Sequence, residues 1–300
     1  MTSSRSVALG LFWAAAAILI WSGSLVLLRL GVTTGLTAYD LTALRFGVAG
    51  ALLLPVLIRR GAGAGRPGPI SVLLMITLFG APYVLLLSLA VKTAPAAAAG
   101  ALNPGVMAIA AALMARVFYG EALGPARLFG IALTALGVAA FLRGEDVGFG
   151  HAVLLATGVM WAGYAAIMRS RRVPALTATA FIAVGSAALY LPVYVLALPK
   201  QIAGVPVLTI VLQAAFHGVL VTTIAVYAFS RSAELLGPAA GTSLPALIPV
   251  ATLGLDVLVL GEAPDAGSIA GAGLVTFGLA FVLAGRAFAR GLRTKLIVGR

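Results

Sequence analysis

Ten apolar runs, each near 20 residues, follow one another along a chain of 300 residues with only short polar breaks between them. About 20 helical residues cross a hydrocarbon core of ~30 Å, so the pattern selects an all-α integral membrane fold with ten transmembrane helices. The runs are read as 7–30, 39–58, 70–92, 94–115, 124–142, 149–169, 174–197, 205–232, 236–259 and 265–285. The longest connector, Arg59 to Pro69, is rich in Gly, Pro and Arg, as a polar turn should be, and no soluble domain fits between any two runs. Charge is correspondingly scarce: 20 Lys and Arg with 8 Asp and Glu make 9% of the chain, against about 25% in a soluble domain. Cysteine is absent, which removes disulfides, thiolate metal sites and cysteine nucleophiles.

A net charge of +12 would point to nucleic acid in a soluble protein. Between membrane spans it reports orientation instead, because Lys and Arg collect in loops that stay cytoplasmic. Fifteen of the twenty basic residues fall on the side of the amino terminus; Arg29, Lys92, Arg143 and Lys200 fall on the other, and Arg45 lies inside the second run. The expectation is a multi-pass inner-membrane protein with both termini cytoplasmic, in contact with membrane lipids and not with nucleic acid. The first run is long, carries Trp21 and lacks a convincing cleavage site, so it reads as a retained span.

Slid against itself, the chain shows an internal repeat. At an offset of 141, Gly100 falls on Gly241, Pro104 on Pro245, Gly120-Glu121 on Gly261-Glu262, and Gly130, Gly137 and Gly144 on Gly271, Gly278 and Gly285. At 140, Trp21 falls on Trp161, Gly23 on Gly163 and Arg29 on Arg169. The halves are 1–146 and 147–286, with 287–300 a basic cytoplasmic tail placed to meet anionic lipid. Five spans per half is an odd number, so the second half enters the membrane inverted. Inverted repeats that meet around a midplane site support alternating access; topology alone leaves carrier and channel both open.

Two five-helix repeats, a proline in the fourth span of each half, a Gly-Glu pair at its end and a glycine-rich fifth span together resemble the EamA family of the drug/metabolite transporter superfamily. Trp21, Asn103-Pro104 and Trp161-Ala162-Gly163-Tyr164 look like the YddG-type bacterial exporters of aromatic amino acids within it. The resemblance implies a ten-helix basket with a central cavity lined mainly by helices 1, 3, 4, 6, 8 and 9, and with helices 5 and 10 side by side.

The residues point to that cavity independently. A proline inside a helix leaves the carbonyl four residues back without its partner, and in a membrane such a carbonyl must face protein or a water-filled space. Pro104 and Pro245 therefore read as hinges, and the freed carbonyls of Gly100 and Gly241, with Asn103 and Ser243, as polar groups for substrate. Trp21, Phe79, Tyr83, Trp161, Tyr164 and Tyr227 offer rings to an apolar or aromatic cargo, although Trp and Tyr also form interfacial belts. His217 is an ionisable group inside a span, suited to cargo binding, protonation or a helix bridge. Asp256 and Arg45 are expected to meet as a gate, with Arg29 and Lys92 as alternative partners for Asp256. Glu121 and Glu262 follow glycines that read as helix C-caps and are expected to stabilise the next helix's N-terminus. The glycines spaced by seven in helices 5 and 10 read as a close-packed seam.

Gly241-Thr242-Ser243-Leu244 with His217 superficially offers a serine and a base, but the repeat accounts for Gly241 and the histidine context does not fit a protease. No Walker A sequence, His-Glu-x-x-His or Cys/His cluster is present, so neither a cofactor nor a metal is expected and the chain is not read as an enzyme. The expectation is a monomeric secondary transporter that exports small amphipathic metabolites, foremost aromatic or other large neutral amino acids. A carrier of another metabolite or drug, or a facilitative channel, is the alternative.

Overall fold

In the computed structural model the structure describes residues 4–60, 67–143, 147–236 and 244–298. These are almost all helical apart from short connectors, with no strand among them. The spans are α1 (Ser4–Thr33), α2 (Ala38–Arg60), α3 (Pro69–Ala90), α4 (Ala96–Tyr119), α5 (Pro125–Arg143), α6 (Phe149–Arg171), α7 (Ala175–Ala197), α8 (Val207–Leu236), α9 (Leu244–Leu260) and α10 (Ala266–Val298). Nine are long and apolar enough to cross a membrane, and the described part of α9, over Pro245–Leu260, is shorter. The chain is a multi-span membrane protein. α10 runs on past residue 286 to Val298, because the expected tail contains no proline and is made largely of residues that tolerate a helix.

The inverted repeat is visible in how the helices meet. α5 lies antiparallel to α10, with Gly130 against Gly278 and Gly137 against Gly271. A Cβ on Gly137 would stand 2.6 Å from the Val275 backbone nitrogen and 2.9 Å from the Gly271 carbonyl, so the seam closes only without side chains. Shifting by 141 exchanges the two glycine pairs, as a two-fold axis between α5 and α10 requires. α2 pairs with its own counterpart α7 in the same way, while α1 against α8 and α9 is answered by α6 against α3 and α4.

Three spans depart from a plain α-helix. α3 breaks at Gly80 into Pro69–Phe79 and Ala81–Ala90. There Pro82 has no N–H to give, and the Ala81 N–H donates to Ser186 Oγ of α7 at 3.0 Å instead of continuing the ladder. In α8, residues Ala215–Ile224 form a π-helical segment, and α9 ends in another, Asp256–Leu260. Pro104 does lie inside an α-helix. Pro245, in contrast, sits in the 3-10 turn Leu244–Leu247 ahead of the α-helical part of α9, and Gly241, whose carbonyl it was expected to free, lies outside the described residues.

The ends of α4 and α9 are as expected. Gly120 and Gly261 adopt left-handed backbone, φ 61° and 68°, and terminate their helices just before Glu121 and Glu262. At the other end of α2, Asp40 Oδ2 accepts from the Thr37 N–H at 2.8 Å, while Asp40 Oδ1 accepts from Tyr194 of α7 at 2.6 Å, tying the two halves together.

Candidate functional site

A cavity of about 190 Å³ lies between the repeats. A cavity of about 150 Å³ holds benzene, so this one has the scale of a single aromatic ring with a small head group. Its wall comes from α1 (Trp21, Ser24, Leu25), α3 (Phe79, Tyr83, Leu87), α4 (Ala99, Asn103, Pro104), α6 (Trp161, Tyr164), α8 (Val221, Thr222, Val226) and Ile248 of α9. α2 and α7 also contribute, through Arg45 and Phe46 and through Thr179, Ile182 and Ala183, which corrects the expected six-helix lining.

Phe79 is the hub of the apolar half. Its ring stacks on Tyr164 at 4.4 Å and 5° and lies 4.9 Å from Tyr83 and 5.7 Å from Trp161. The break at Gly80 places Phe79 and Tyr83, four residues apart on either side of it, on one wall. Trp21 faces the same space and packs its ring 5.4 Å from Phe229. The repeat partners Trp21 and Trp161 thus stand on opposing halves of one cavity.

The polar part is centred on Asn103, which is 3% exposed. Its amide donates to Thr157 Oγ1 at 2.9 Å, and the Tyr83 hydroxyl lies 3.3 Å from its Oδ1. Asn103 therefore locks α3, α4 and α6 together besides facing the cavity. The Thr157 hydroxyl donates in turn to the Leu154 carbonyl at 2.9 Å, so the chain of bonds closes within the protein.

Other expected residues fall elsewhere. Gly100 is at the α4–α9 contact, where a Cβ would meet the Thr252 side chain, and is not on the cavity wall. His217 is buried, 1% exposed, in the π-helical segment packed on α2, behind the wall rather than on it. Tyr227 points outward, 57% exposed, with its ring 5.4 Å from Trp13 in the manner of an interfacial belt. Gly241 and Ser243 lie outside the described residues.

The expected Asp256–Arg45 gate is not what the structure builds. Arg45 lines the central cavity, whereas Asp256 lines a second one of about 240 Å³ beside Glu262 and Asp265 at the far ends of α4 and α9. Asp256 Oδ2 accepts the Ala97 N–H at 2.8 Å, putting a carboxylate on the N-terminus of α4 where the helix dipole favours it.

The ion pairs that do form are symmetric in a way that the sequence contained but did not announce. Arg29 Nη2 meets Glu262 Oε1 at 2.7 Å, and its Nη1 donates to the carbonyls of Val91 at 2.9 Å and Ala94 at 3.1 Å. At the opposite face, Arg169 pairs with Glu121, which also meets Arg127 at 3.3 Å. Arg29 and Arg169 are repeat partners, as are Glu262 and Glu121, and each pair joins one half of the chain to the other. Both glutamates, expected to serve the next helix, reach across to the other repeat, and Glu121 serves the next helix as well through Arg127 of α5. Arg169, foremost, and Arg127 hold the Glu121 carboxyl below the usual carboxylate range.

A family model described as the EamA-like transporter family matches residues 8–143 and again 148–284. No curated protein matches the chain. A crystal structure described only as that of a "protein" aligns with 95% of this chain and 99% of its own, at 26% identity and a TM-score of 0.64. The two family matches coincide with the two five-helix halves that the α5–α10 seam relates by a two-fold axis, and the chain belongs to the EamA-like transporter family.

Proposed function

We propose that the protein is a secondary transporter that exports aromatic or other large neutral amino acids by alternating access. The family makes it a membrane transporter of small metabolites. The observation that carries the narrower reading is the ring cluster around Phe79, with Tyr83, Trp161, Tyr164 and Trp21, in a cavity sized for one ring. Such faces hold a planar apolar side chain by stacking and desolvation, and the YddG-type resemblance of the same residues points to the same cargo.

The cavity lies between inverted halves, so rocking one against the other would open it to either side in turn. The pairs Arg29–Glu262 and Arg169–Glu121 are placed to hold the two faces closed. Basic residues on the amino-terminal side favour an inner-membrane orientation with both termini cytoplasmic, so that Arg169–Glu121 faces the cytoplasm. Everything the cavity needs comes from one chain, which accords with a working monomer. The division at residues 146 and 286 gives the two moving units.

The reading is tested by uptake of labelled phenylalanine into proteoliposomes. It predicts saturable uptake, with Phe79→Ala raising KM about fivefold or more, in line with roughly 0.5–1.5 kcal/mol for a lost aromatic pair plus buried area. Linear, unsaturable flux would assign a channel; saturable uptake of aliphatic but not aromatic substrates would reassign the cargo.

A further inference from the structure

Arg45 is the one charged side chain on the central cavity wall among the described residues. Its Nε is shut away from solvent without a hydrogen-bond partner, and among the described residues its guanidinium has no carboxylate to meet. The Phe46 ring has its centroid 5.9 Å from the guanidinium carbon, and Tyr83 stands on the same cavity wall.

The acids among the described residues are engaged elsewhere. Asp40 is held by Thr37, Tyr194 and Gln201, Glu121 by Arg127 and Arg169, Glu234 by Arg231, and Glu262 by Arg29. Asp256 and Asp265 line the other cavity, and Glu145 and Asp146 lie in the α5–α6 connection beyond the described residues. A guanidinium kept at membrane depth without a counter-ion is costly, and its planar fork matches a carboxylate with two parallel bonds. The same wall offers no carboxylate to an ammonium, and the Asn103 amide is already bonded to Tyr83 and Thr157.

From this cavity wall we infer that Arg45 receives the carboxylate of the transported molecule, so that the protein selects ring-bearing carboxylates with or without an α-amino group. The inference deepens the amino acid reading and rests on it for where the cargo sits. The selectivity has two parts: rings on α3 and α6 for the apolar end, and one cation on α2 for the acid.

The test uses purified full-length protein in detergent and four ligands that share one phenyl ring: phenylalanine, 3-phenylpropanoate, phenethylamine and 3-phenylpropanol. Binding is read by quenching of the cavity tryptophans and by shift of melting temperature. The expected order is 3-phenylpropanoate at least as tight as phenylalanine, with phenethylamine and the alcohol at least tenfold weaker. Arg45→Gln should bring the acid down to the level of the alcohol, and Arg45→Lys should restore part of the difference. Size-exclusion profile and unliganded melting temperature show whether each variant is folded; if Arg45→Gln is not, the ligand order on the wild type and Arg45→Lys decides. Phenethylamine binding as well as phenylalanine, or an unchanged preference in Arg45→Gln, overturns the inference and leaves the amino acid reading intact. Arg45-dependent binding of 3-phenylpropanoate without binding of phenylalanine upholds the inference and removes the amino acid reading. Binding of none of the four to the wild type overturns both.

Discussion

Neutralising Glu262 should loosen one face of the protein more than neutralising Glu121 loosens the other. Arg29 is 18% exposed and Glu262 34%, and the arginine also holds two carbonyls in the α3–α4 turn. Arg169 is 52% exposed and its partner Glu121 30%, it holds no carbonyl among the described residues, and the second partner of Glu121, Arg127, belongs to the same repeat and does not bridge the halves. Exposed pairs are worth about 0–1 kcal/mol, and removing one partner of a buried pair costs about 3–5 kcal/mol. The half-buried Arg29–Glu262 pair falls between, at about 1–2 kcal/mol after solvent screening, and tenfold in an equilibrium is about 1.4 kcal/mol. Glu262→Gln should therefore raise the population open at that face about tenfold, and Glu121→Gln that open at the other face no more than about fivefold. With no native cysteine, Ser24→Cys on the cavity wall is a clean reporter. Its labelling by a membrane-impermeant maleimide, applied separately to each side of sealed vesicles, reads the two populations. Glu262→Gln should speed labelling from the Glu262 side, and Glu121→Gln from the opposite side. Equal or same-sided effects of the two variants would refute the paired-latch reasoning.

The glycine seam makes its own prediction. Gly137→Ala places a Cβ against α10 backbone and should lower the melting temperature, by about 1–3 kcal/mol of overpacking, whereas Gly273→Ala, with nothing within 4 Å, should stabilise by up to about 1 kcal/mol. Ser186→Ala removes the acceptor for the Ala81 N–H at the α3 break; it should cost about 1–3 kcal/mol for the orphaned donor, measured by thermal unfolding, and raise KM because Phe79 and Tyr83 flank that break. The Glu121 carboxyl titrates below its unfolded value, so its contribution is complete above the ordinary carboxylate range and is lost as pH falls through the lower folded value. Melting temperature should be flat near neutrality and fall in strong acid, and Glu121→Gln should flatten that acid limb.

Much of the fold was legible because lipid imposes a length and forbids unpaired backbone, so nine of the ten apolar runs become helices long enough to span, and the described part of the remaining one, α9, is helical but shorter. The repeat supplied topology, and equal spacing of Gly130, Gly137, Gly271 and Gly278 supplied the α5–α10 contact. Helix faces were less readable: with both lipid-facing and protein-facing sides apolar, no polar stripe told Tyr227, which points outward, from Tyr164, which points inward. The α3 break carried a signal in Gly80-Ala81-Pro82, but its cap, Ser186, stands more than a hundred residues away. The same distance hid the ion pairs. Arg29 and Glu262 each had a repeat partner in plain view, yet only the folded arrangement shows that the two repeats exchange them. Arg45 looked like a gate because it sits a few residues into α2; in the fold α2 and α7 supply part of the cavity wall, and Arg45 stands on it.

The central claim is one cavity served alternately to two sides, and trans-stimulation tests it most directly. Proteoliposomes preloaded with unlabelled phenylalanine should take up labelled phenylalanine several-fold faster than empty ones, with transient accumulation above the outside concentration. Uptake indifferent to preloading would contradict the account, because a cavity open to both sides at once has no return step to accelerate.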